Sequence, residues 1–183
     1  PEDRLDNPGR RTLATLALVL TQWGCLKDVS LKDRAGVGHF LMFWTGLLFF
    51  ANYAYVFAWG AWHEEESLTA LNNGFSRVYD PLLDVLAALC AAAVIWALAR
   101  RYVVRPRRLE TGIEAGVILV AILFLMITHY AGEAFRMALY PGSAGGPVSA
   151  ALSRSFTGLG ASTLMTSVRV AFWLHMGIVL GFL

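Results

Sequence analysis

Four long apolar runs dominate the chain: Val37–Trp59, Leu82–Ala99, Ile113–Leu139 and Thr163–Leu183. Each reaches or approaches the roughly 20 residues that a helix needs to cross a bilayer. They predict an all-α, polytopic membrane helix bundle with four spans. A shorter run, "TLATLALVLTQW" (Thr12–Trp23), is bracketed by basic residues and cannot span. It suits an interfacial or partner-packing helix, with a re-entrant segment as the alternative. The expected organisation is therefore a loop with an interfacial helix over 1–36 and a transmembrane helical domain over 37–183. No run has the form of a cleavable secretory signal.

Composition agrees with the pattern. Only 15% of the 183 residues are charged and 57% are hydrophobic, against roughly a quarter charged in soluble domains. The net charge of +2 is small and the basic clusters are split by apolar spans, so a nucleic-acid surface is not indicated. Cys25 and Cys90 sit in different segments and make neither a disulfide framework nor a CxxC site. Cys90 reads as a small helix-packing residue.

The cations set the orientation. Arg4, Arg10, Arg11, Lys27, Lys32 and Arg34 precede the first span, and "RRYVVRPRR" joins the second to the third. The other loops carry little positive charge, so the N-terminal segment and the loop 100–110 are expected in the cytoplasm. The chain also reads as a fragment. It opens in a polar loop without Met, and only 14 residues follow Arg169, the last charge. Those make about 21 Å of helix, short of a ~30 Å hydrocarbon core. The last helix is expected to continue past Leu183, and another helix to precede the opening loop.

Candidate chemistry concentrates in "LMITHYAGEAFRMAL", where His129, Glu133 and Arg136 share one helix face at i, i+4 and i+7. Ionisable residues inside spans are costly and mark function. His129 stands seven residues before Arg136 on a helix running outward, and His175 six residues after Arg169 on a helix running inward. Those separations are about 10.5 and about 9 Å. With both arginines at the outer interface, the two histidines are expected at nearly one depth, which is what bis-histidine haem ligation needs. Arg136 and Arg169 could meet the haem propionates, and Glu133 could handle a proton. The competing reading is two ordinary polar residues hydrogen-bonded between helices. Glu133 equally could only pair with Arg136 or Arg169, and Asp84 could cap its own helix or pair with Arg77. His63, in "AWHEEES", reads as a solvated loop residue.

"GHFLMFWTGLLFF", "RRYVVRPRRLE", "MITHYAGEAFRMAL", "GGPVSAAL" and "FWLHMGIVLGFL" resemble the membrane cytochrome b domain found at the N-terminus of membrane-bound iron–sulfur oxidoreductases. That domain is similar to the cytochrome b subunit of heterodisulfide reductase and, more distantly, to the gamma subunit of respiratory nitrate reductase. The resemblance implies a five-helix domain with two b haems in the bacterial or archaeal cytoplasmic membrane. It implies quinone or menaquinone as substrate, with iron–sulfur clusters in the missing portion or in a cytoplasmic partner. An electron-transfer flavoprotein is a further possible partner. His175 matches the first of two haem-ligating histidines on the family's last helix, and His39 matches its ligand for the inner haem. The chain departs from the nitrate reductase pattern at Phe49, where that family has a second histidine. His129 becomes the substitute partner for His175.

The function expected is electron transfer between the quinone pool and cytoplasmic iron–sulfur or flavoprotein partners through b haems. The chain would be catalytic only with its iron–sulfur partner. The alternative is a cofactor-free membrane anchor for a soluble oxidoreductase. A proton or ion transporter is disfavoured, because the spans lack paired Gly/Pro-broken helices.

Overall fold

The computed structural model describes residues 7–27, 29, 34–62, 74–105 and 112–181. His63 and the end of the arginine-rich loop, from 106 to 110, lie outside the described residues. Among those described the structure is all helical, with four helices long and apolar enough to cross a membrane. The chain divides into two compact units, Pro1–Phe40 and Leu41–Leu183.

The first unit holds α1 (Pro8–Thr21) and α2 (Trp23–Leu26). Pro8 opens α1, where its missing N–H costs nothing. Gln22, in the left-handed region, turns the chain between the two helices. Leu13, Leu16 and Leu20 lie on one face of α1 and all are exposed. An exposed apolar face suits the membrane surface. The unit also contains the start of α3 (Ala35–Trp62), including an exposed His39.

The second unit is built from the rest of α3, α4 (Ser76–Ala99), α5 (Ile113–Leu139), α6 (Pro147–Ser153) and α7 (Ala161–Gly181). Its core is a stripe on α4: Leu83, Ala87, Cys90 and Val94, at i, i+4, i+7 and i+11, packed with Phe49 and Met126. Small residues on this stripe let neighbouring helices approach closely. Cys90 is accordingly a buried packing residue. The opposite faces expose large side chains such as Phe50, Trp173 and Val117, as lipid-facing surfaces do. Two phenols bolt the helices together through carbonyls. Tyr79 Oη donates to Leu48 O at 2.8 Å, and Tyr130 Oη donates to Asp84 O at 2.6 Å.

The short helix α6 is fixed by a carboxylate from another helix. Asp84, only 2% exposed, accepts from Val148 N at 2.7 Å, Ser149 N at 3.2 Å and Ser149 Oγ at 2.5 Å. The two N–H groups are orphan donors of the first turn of α6, so Asp84 is an N-cap supplied across the fold, with the Ser149 hydroxyl as a third donor. It caps α6 rather than its own helix. Gly146 permits the approach, because a Cβ there would overlap the Asp84 side chain.

Candidate functional site

Helices α3, α4, α5 and α7 of the second unit surround a cavity of about 190 Å³. His129, Glu133 and Arg136 reach it from α5, His175 from α7, and Asp80 from α4. Four of the six candidates expected from sequence are thus brought to one space. Arg169 is exposed on α7 and does not line it.

The two imidazoles are held differently. His175 is buried, and its Nδ1 lies 2.8 Å from Thr128 Oγ1. The Thr128 hydroxyl hydrogen is already directed at the carbonyls of Phe124 (2.9 Å) and Leu125 (3.1 Å). The hydroxyl therefore accepts from the ring, which puts the imidazole proton on Nδ1 and the lone pair on Nε2. That Nε2 contacts the Tyr53 hydroxyl, which donates to it. An N–H held by an outer partner with the other nitrogen's lone pair directed inward is the arrangement of a metal-ligating histidine. His129 stands edge-on to Phe49, with ring centroids 4.8 Å apart, and its buried Nε2 has no hydrogen-bond partner among the described residues. An unsatisfied buried ring nitrogen is costly. Coordination is one way to satisfy it.

Phe49 and Tyr53 have a further position in common. A second cavity, of about 180 Å³, lies on their other side and also reaches His175. The two side chains therefore partition a larger space that both imidazole-bearing helices border. Each part alone is below the roughly 300 Å³ at which ligand pockets begin. Two cavity-lining imidazoles are a donor set that fits haem iron.

The charged residues are already committed in part. Arg136 Nε and Nη2 donate to Glu133 Oε1 and Oε2 at 3.2 and 2.5 Å, and Nη2 also donates to Ala144 O at 2.5 Å. This i, i+3 pair anchors the loop after α5 as well as neutralising Glu133. Asp80 lines the same cavity without being held in that pair.

Sequence reasoning missed Tyr53, Thr128 and Asp80. Thr128 adjoins His129, but nothing in the sequence indicates that it serves His175 across the helix interface. Asp80 lies one turn before Asp84, and this i, i+4 repeat on a lipid-length helix was the usable sign.

Comparison with known proteins gives one informative similarity. Over 102 residues the chain is 28% identical to "Probable iron-sulfur-binding oxidoreductase FadF" of Bacillus subtilis (strain 168), covering 55% of this chain and 14% of that protein. The aligned part is thus a small fraction of the relative's length. No family model matches the chain. No solved structure matches it significantly.

Proposed function

We infer that the chain is the membrane cytochrome b module of a quinone-linked oxidoreductase. It would exchange electrons between the quinone or menaquinone pool and an iron–sulfur domain or subunit on the cytoplasmic side. The observation that carries this is the pair of cavity-lining imidazoles, one with an unsatisfied buried nitrogen and one oriented by Thr128. The similarity to an iron–sulfur-binding oxidoreductase supports the redox class.

His129 and His175 would hold haem b, and His39 would serve a second haem in the full-length domain. Haem, when bound, supplies reversible one-electron chemistry at its iron. Thr128 keeps the His175 lone pair on Nε2. Tyr53 must withdraw its hydroxyl from that nitrogen before coordination. Arg136 and Arg169, on the same two helices as the ligands, are the cations proposed for the haem carboxylates. Oxidation of a quinol also releases protons, so a carboxylate in the cavity is useful. Glu133 is tied to Arg136. Asp80 is therefore proposed as the group that exchanges a proton with the quinol hydroxyl, with Glu133 as its neighbour in the relay.

A dithionite-reduced minus oxidised spectrum of the purified full-length protein is expected to show a b-type band. A folded full-length protein with no such band overturns the reading and favours the cofactor-free anchor. In the haem-loaded protein, Asp80→Asn should slow quinol-driven haem reduction roughly a hundredfold, at the low end for a lost acid–base group because Glu133 remains. Dithionite reduction should be unaffected. Stopped-flow absorbance separates the two rates.

A further inference from the structure

Past the end of α4 the helix loosens into a π turn, Arg100–Val104. Arg105 closes it in the left-handed region, at φ 48°, and its backbone N–H donates to Arg100 O at 2.9 Å. Its Nε donates to Tyr102 O at 2.8 Å. Non-glycine residues adopt this conformation at a cost, and π turns recur at functional sites.

Two observations meet at this turn. The buried Nε of Arg101 has no hydrogen-bond partner among the described residues. That Nε belongs to a half-buried side chain, and the other N–H groups of its guanidinium can meet an anionic acceptor. Next to Arg101 in the chain, Tyr102 begins an apolar groove of about 520 Å³. Val117, Val120, Ala121 and Phe124 form one wall along α5, and Ile178 of α7 joins them. The Tyr102 ring lies so close over Gly116 that a Cβ there would strike its hydroxyl, which reaches toward Gly112 O at 3.4 Å. The groove and the turn are therefore joined by one packed residue.

The groove's length identifies an occupant. From Ile113 to Phe124 is about 16 Å of helix, half of a ~30 Å hydrocarbon core. It therefore runs the depth of one leaflet, starting at the arginine-rich end. We propose that this is a site for an anionic glycerophospholipid, with an acyl chain along the groove and the phosphate on the arginines of the π turn, chiefly Arg101 and Arg105. An apolar helix would match the groove but bring no anion to the turn, and a zwitterionic lipid would bring its choline cation against the same arginines that meet its phosphate. Basic pockets between spans at this depth suit acidic head groups.

Native mass spectrometry of the full-length protein with added lipid tests the site. Phosphatidylglycerol should be retained at least tenfold better than phosphatidylcholine with the same acyl chains. Arg101→Gln/Arg105→Gln should abolish that preference, and Ala121→Trp, which fills the groove, should lower phosphatidylglycerol retention. Arg105 is exposed, so Arg105→Gln alone is a folded fallback and should shift retention the same way by less. Equal retention of the two lipids overturns the proposal. So does a preference unchanged in the arginine variants, or full displacement of phosphatidylglycerol by inorganic phosphate, which would mark an anion site without a lipid.

Discussion

Replacing His175 with Ala in the full-length protein should remove the share of the b-type band contributed by the haem proposed between α5 and α7. His129→Ala should do the same, because either loss leaves the iron with one ligand. The double variant should then be no worse than either single one, since the two residues act as a unit. His39→Ala should instead add to the His175→Ala loss, because His39 is assigned to a different haem. Two second-layer variants sharpen the test. Thr128→Val removes the acceptor that fixes the His175 tautomer and should weaken haem affinity about 10- to 100-fold. Tyr53→Phe removes the hydroxyl that competes for Nε2 and should load haem at least as well as the parent. Difference spectra and haem titration followed in the Soret region read all of these variants. A full band in His129→Ala would sink the His129–His175 pairing while leaving a cytochrome possible through other ligands.

The largest stability effect is expected at Asp84. Three donors from the start of α6 converge on its carboxylate, which is 2% exposed. Water cannot replace those bonds, and Asp84→Ala leaves buried donors bare. The loss should be roughly 2–4 kcal/mol, from charge-assisted bonds together with an N-cap. Gly146→Ala attacks the same contact from the other side. Its Cβ must displace the Asp84 side chain, at roughly 1–3 kcal/mol of overpacking. Because the two residues touch, their effects should not add. Unfolding of the detergent-solubilised protein, followed by circular dichroism, measures both. Unchanged stability in Asp84→Ala would show that α6 is held by its apolar contacts alone. This also assigns Asp84 a structural role, although it lines the same cavity as Asp80 and Glu133.

The Glu133–Arg136 pair illustrates how one spacing supports two readings. The i, i+3 separation is visible in the sequence, and it suits a proton carrier beside a haem or a plain ion pair. The structure has the ion pair, with Arg136 also clamping Ala144 O. Asp80 then becomes the more available acid, a choice between the two that the contacts decide.

The sequence by itself determined the all-helical class and the four segments able to cross a membrane. These follow from local sums: apolar length against bilayer thickness, and helical rise against residue count. Only the tertiary structure decided which faces meet. The spans are apolar nearly all round, so their sequences do not fix how each helix is rotated about its axis. That rotation turns Thr128 toward His175, brings Tyr53 onto the same ring, sends Asp84 to cap α6 and leaves Arg169 outside the cavity. Close packing of small residues selects it, Ala87 and Cys90 on α4 and Gly132 against Ala171 between α5 and α7, and such packing depends on pairs of surfaces that no single segment contains.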